Sequence, residues 1–178
     1  MTTKIDINTA SYERAVFRWK QGHQVFHVIL VCMNTLLDDA VKAVEYRKLI
    51  KLQSILGRLS ALYDAATVSM KYTVSFPVEC YEEFIRPSMM PPFLSPGFSG
   101  TQNKEHKIMI EGFKELHETL VNHLGPKSEW PATIIESWEE LSKAQVRNRK
   151  NHGFVCREFV DDGVSLLKDF YKNKEHLK

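Results

Sequence analysis

Nothing in this sequence breaks a helix between about Asn8 and Val44, and that stretch constrains the fold more than any other feature. Asn8, Thr9 and Ser11 supply capping oxygens ahead of Tyr12 and Glu13. The middle of the stretch, VFHVILVCM, is apolar in every direction, the pattern of a helix buried all round. Leu49, Leu52, Ile55, Leu59 and Leu62 recur at helical spacing and predict a second helix over residues 46–72. Pro77 opens a short helix over residues 78–85. A longer one over residues 103–124 carries Met109, Phe113, Leu116 and Leu120 on one face, and Gly125-Pro126 stops it. A last helical region is expected over residues 131–174, bent near Gly153 or Gly163. No alternating run is long enough for a sheet, so the fold class expected is an all-α helical bundle, one domain over residues 1–178.

The segment from Arg86 to Gln102 holds Pro87, Pro91, Pro92, Pro96, Gly97 and Gly100 and reads as one long loop. Its apolar residues (Met89, Met90, Phe93, Leu94, Phe98) argue against disorder and for an ordered pocket wall.

A net charge of +2 with no basic stripe gives no reason to expect nucleic acid. Three cysteines without a CxxC pair argue against both a disulfide framework and a structural zinc site. Cys32 and Cys156 lie in apolar stretches that suit buried thiols. The N-terminus lacks a secretory apolar core, so a cytoplasmic protein is expected. The run Val25 to Met33, interrupted by His27, is too short to span a bilayer.

Few residues could carry chemistry. Val155, Phe159, Leu166 and Phe170 follow His152 at helical offsets, which places this imidazole on the apolar face of its helix. There it needs a hydrogen bond or a metal. A haem ligand has this environment, and so does a satisfied core histidine. His23 and His27 are four apart and share a helix face, which raises a non-haem di-metal bundle as a rival. The Glu-x-x-His pairs of such bundles are missing from the sequence. Arg86, at the mouth of the proline-rich loop, could hold a substrate carboxylate bidentately or pair internally with Glu79, Glu82 or Glu83. His106, His117 and His123 are explained adequately by surface or edge positions.

In order and spacing, Gly22-His23-Gln24, Phe84-Ile85-Arg86, Ser95-Pro96-Gly97-Phe98 and Arg149-Lys150-Asn151-His152 resemble the haem pocket of the tryptophan 2,3-dioxygenase family. That resemblance implies a helical haem-binding core with heme b. His152 would be the metal (iron) ligand, Arg149 would lie at the cofactor, and His23 would act as the catalytic distal residue. Arg86, Ser95, Gly97 and Phe98 would bind substrate. It implies an oxygenase acting on an aromatic, indole- or phenol-type carboxylate with dioxygen or peroxide, in a dimer or tetramer. The sequence after Gly163 lacks the family's Gly-Thr-Gly-Gly-Ser loop, so the carboxylate half of the site is retained and the ammonium half is not. The competing expectation is a non-catalytic helical protein that carries haem or another ligand, or serves as an interaction module.

Overall fold

The computed structural model describes residues 9–94 and 103–159, without the side chains of residues 156–158. Helix α1 runs Thr9–Glu45, α2 Leu49–Thr73, α3 Val78–Cys80, α4 Arg86–Ser88, α5 Lys104–Leu124 and α6 Ala132–Phe159. A π-helical turn, Tyr81–Ile85, joins α3 to α4, and a 3-10 turn, Lys127–Glu129, precedes α6. The all-α bundle expected from periodicity is the architecture found.

Helices α1 and α2 form an antiparallel hairpin. Its turn closes with Lys48 N donating to the Ala43 carbonyl at 2.8 Å while Arg47 takes a left-handed φ of 52°. Glycine or asparagine usually fills that capping position, so no turn signal is legible there. Helix α5 lies along α1 in the same direction, since Asn34 meets Glu105 and Leu37 meets Gly112. Helix α6 likewise follows α2, with Gln145 at Tyr63 and Asn148 at Thr67. Leu30, Met33, Leu37, Leu52, Leu56, Leu59, Leu116, Leu120, Ile134 and Leu141 fill the main core between these four helices. Removing one of them, as in Leu116→Ala, costs about 2–5 kcal/mol on general grounds.

A smaller core lies at the N-terminal end of α1. Ala15, Cys80 and Ile85 are buried there, with Tyr12, Trp19, Phe76, Tyr81 and Met89 packed against them. The stretch expected to be loop from Arg86 therefore begins as helix. Pro87 cannot donate to the carbonyl four residues earlier, and the turn before it widens so that Arg86 N reaches the Tyr81 carbonyl.

Helix α1 is not buried all round. Val25 is 46% exposed, Val28 59% and Val31 43%, and Cys32 is exposed with them. Among the described residues α2 and α5 supply most of the packing on this helix of 37 residues, and they cover one side. By length and composition α1 is long and apolar enough to cross a bilayer, more than the run Val25 to Met33 implied. Its inner residues form the core instead.

Gly22 sets the closest approach of the hairpin. A Cβ there would fall 1.8 Å from Thr73 Oγ1 and 2.7 Å from its Cβ, and Ser69 Oγ donates to the Gly22 carbonyl at 3.2 Å. Gly22→Ala is expected to destabilise the protein by about 1–3 kcal/mol, the usual cost of overpacking. In urea denaturation the Gly22→Ala/Thr73→Ala double variant should lose less than the two single losses added together, because removing Oγ1 opens the space.

Candidate functional site

Two helical stripes locate a groove. His27, Asn34 and Val41 are seven residues apart, two turns each, and share one side of α1. Asn34 Nδ2 donates to Glu105 Oε2 at 2.9 Å and to the Glu105 carbonyl at 3.1 Å. Val41 stands beside Glu115. Helix α5 thus covers the two later members of the stripe. It begins at Lys104, beside Asn34, so His27 remains exposed among the described residues.

Helix α6 repeats the pattern. Trp138 packs on His117 of α5 with ring centroids 5.8 Å apart. Gln145, seven residues on, donates to the Tyr63 hydroxyl at 3.5 Å, and Tyr63 stacks on Phe113 of α5 at 5.8 Å. His152, seven further, is exposed. Both stripes run out from beneath α5 into the same end of the bundle. There, among the described residues, α1 and α6 flank α2 and α5 does not reach.

Half-buried Met70, seven residues after Tyr63, lies on the floor. Burial pushes the Tyr63 phenol above its usual pKa, and the Gln145 hydrogen bond and the positive charge of Arg149 act against that. Arg149 thereby exerts its field toward the floor although its side chain is exposed.

His23, one turn before His27, is half-buried and tied to the smaller core. Its Nδ1 lies 2.7 Å from the Trp19 carbonyl, and the Trp19 and His23 rings are 4.3 Å apart. A carbonyl only accepts, so Nδ1 carries the proton and Nε2 is the basic nitrogen of the ring. Trp19 continues to Tyr81 at 5.4 Å, and Tyr81 to Phe159 at 5.2 Å. This aromatic ladder connects the groove to the segment that carries Arg86.

Arg86 is half-buried next to buried Ile85. Among the described residues Glu79, Glu82 and Glu83 form no ion pair with it, and Glu83 instead accepts from the Tyr12 hydroxyl at 2.7 Å. The internal pairing open to Arg86 in the sequence is therefore not the arrangement found. His152 also corrects the sequence reading. It belongs to the inward stripe with Val155 and Phe159 but is exposed, because α5 does not reach that far. Ser95, Gly97 and Phe98 lie outside the described residues. No group of three His, Cys, Asp or Glu side chains among the described residues is placed to hold a metal ion. His27, whose part in the site the sequence left open, continues the inward stripe of Asn34 and Val41.

The model of the SfmD 3-methyl-L-tyrosine peroxygenase family matches residues 5–135. A 3-methyl-L-tyrosine peroxygenase from Streptomyces lavendulae is 28% identical over 164 residues, covering 88% of this chain and 41% of the relative. The chain thus spans under half the length of that relative. The family match includes His23, His27 and Arg86, and a match over 88% of the chain also takes in Arg149 and His152. No solved structure matches. The chain belongs to the SfmD 3-methyl-L-tyrosine peroxygenase family.

The Tyr12–Glu83 contact fastens the π-helical turn to α1. It holds the phenol proton and raises the Tyr12 pKa from 10.0 to about 12, chiefly through the hydrogen bond to the Glu83 carboxylate. A raised pKa means the contact is intact below pH 10 and is lost as the pH climbs through about 12. In phenolate absorbance titrations, Glu83→Gln should return the Tyr12 midpoint toward 10, with Tyr12→Phe identifying its share of the signal.

Proposed function

From membership of the peroxygenase family and the two-histidine groove, we propose that this chain provides a haem-dependent, peroxide-using oxygenation site for a phenolic amino acid. The observation that supports the proposal is that His23, His27 and His152 lie on α1 and α6 at the levels that α5, among the described residues, does not reach. The donor chemistry suits heme b. Imidazoles stand on both walls, an aromatic ladder adjoins them, and a positive Arg149 can meet the propionates.

In this reading His152 holds the iron from the α6 wall and Arg149 lies at the cofactor edge. The haem, when bound, supplies the oxidising equivalents for activating peroxide. His23 would act on the peroxide. Its protonated Nδ1 is fixed by the Trp19 carbonyl, so Nε2 can take the proton from one peroxide oxygen and return it to the other. The O–O bond breaks, one oxygen enters a ring C–H bond of the substrate as a hydroxyl, and the other leaves as water. Arg86 binds the substrate carboxylate, and its freedom from the neighbouring glutamates supports that role. Ser95, Gly97 and Phe98 complete the substrate pocket. The relative's printed activity favours a tyrosine-type substrate over an indole, and peroxide over dioxygen. A tryptophan-dioxygenase-like ancestry for the haem core and a cytoplasmic location remain part of this proposal.

Haem titration followed at the Soret band tests it. The wild-type chain is expected to bind one haem, and His152→Ala to lose the band or regain it only with added imidazole. A wild-type protein that stays colourless after reconstitution overturns the reading. In the haem-loaded protein, Arg86→Ala should weaken binding of 3-methyl-L-tyrosine about ten- to hundredfold, the worth of a charged hydrogen bond of roughly 1.5–3 kcal/mol. The decarboxylated amine should bind wild type and variant equally. A product 16 mass units above the substrate, formed with peroxide under anaerobic conditions, is the expected turnover.

A further inference from the structure

The aromatic ladder that starts at His23 leads to a phenol with a proton acceptor of its own. The Trp19 ring lies 4.3 Å from that of His23 and 5.4 Å from that of Tyr81, centroid to centroid. Tyr12 stands two turns before Trp19 on α1, a rise of about 10.5 Å. Trp19, Tyr81 and Tyr12 pack against the same buried residues, Ala15, Cys80 and Ile85. The Tyr12 hydroxyl donates to Glu83 Oε2 at 2.7 Å. The Tyr63 and Tyr72 hydroxyls instead meet the amides of Gln145 and Gln21, groups that take no proton at neutral pH.

We propose that Trp19, Tyr81 and Tyr12 form a relay that carries one-electron oxidising equivalents from the groove to the Tyr12–Glu83 pair. For its natural oxidant, the peroxide-treated haem group, the relay rests on the haem reading above. The Trp19 indole gives one electron to that oxidant, which is reduced by one electron. Tyr12 then returns one electron to Trp19, through the Tyr81 ring, and its hydroxyl proton moves to Glu83 Oε2. The products are a neutral tyrosyl radical, a protonated Glu83 and a restored indole, so charge is conserved. A thiol or ascorbate from solution gives one electron back to Tyr12, and Glu83 gives back the proton.

A phenol becomes a strong acid when it loses an electron, so an acceptor already bonded to its proton lowers the cost of that loss. The Tyr12–Glu83 bond is of the strong, charge-assisted kind. Trp19 is half-buried at the inner end, while half-buried Tyr12 and exposed Glu83 are within reach of a soluble reductant. Cys80 and Met89 belong to the same small core, and a thiol and a thioether are the side chains that stray oxidation damages. The relay draws holes past them to a residue that can be repaired.

Pulse radiolysis of the haem-free chain tests the relay with an oxidant that needs no cofactor. Azidyl radical removes an electron from tryptophan in preference to tyrosine at neutral pH. The indolyl absorbance should then decay with a matching growth of tyrosyl absorbance, at a rate independent of protein concentration. Trp19→Phe and Tyr12→Phe should each lose most of that growth. Tyr46→Phe, exposed at the other end of α1, should leave it unchanged. Glu83→Gln keeps an acceptor for the phenol but takes no proton, and should slow the transfer about tenfold or more, the worth of a hydrogen bond to a charged group. The wild type should also slow in heavy water, a readout that needs no variant to fold. No concentration-independent transfer in the wild type overturns the proposal, and so does a Glu83→Gln rate equal to that of wild type. If the chain binds no haem, the radiolysis result still decides the relay; if the relay fails, haem binding is untouched.

Discussion

The contact between Asn34 and Glu105 fixes where α5 begins along α1, and the difference between the two ends of the bundle follows from it. Above that level four helices surround a continuous apolar core. Below it, among the described residues, α1, α2 and α6 continue without α5, and the core-facing stripes of α1 and α6 carry the exposed His27 and His152. An exposed histidine in an inward stripe is otherwise a contradiction, since the stripe pattern exists to bury apolar surface. At this end the stripe faces a groove.

The smaller core gives the open end its rigidity. Gly22 lets α2 approach α1 closely enough for Ser69 to donate to the Gly22 carbonyl, which anchors the lower half of the hairpin. The segment from Phe76 to Met89 then folds over the start of α1 and buries Cys80 and Ile85. Burial pushes the Cys80 thiol up, with Glu79 and Glu83 adding to the effect, so this cysteine is a packing residue and a poor nucleophile. The widened turn before Pro87 leaves Arg86 half-buried beside Ile85 of that core. Conformational economy and site construction coincide here, because one short helical insert supplies both the lid of the small core and a half-buried cation.

The groove resolves several readings that residue spacing left open. His23 is held in one tautomer by a backbone carbonyl, an outer-shell contact of the kind that orients working imidazoles. Arg86 could have been a structural ion pair, yet Glu83 is committed to Tyr12. Family membership then gives the groove a chemical context, while the chain spans only part of the curated relative's length.

Periodicity alone was enough for the helical class, for α2 and for the helix ended by Gly125. Those signals are local: apolar residues every three or four positions, capping residues, and a glycine that adopts a φ of 81°. The order of His23, Arg86, Arg149 and His152 along the chain was also legible, because it needs no folding to be read. The turn at Arg47 was hidden, since a positive φ at arginine carries no compositional mark. The burial of α1 was overestimated for a related reason: an apolar side chain shows that burial is favourable, but whether a partner arrives depends on how many helices the bundle has. The environment of His152 was misjudged on the same ground. Its helix face was determined by the sequence, but its exposure was decided by the level at which α5 starts, a distance between segments about 70 residues apart that only tertiary packing can set.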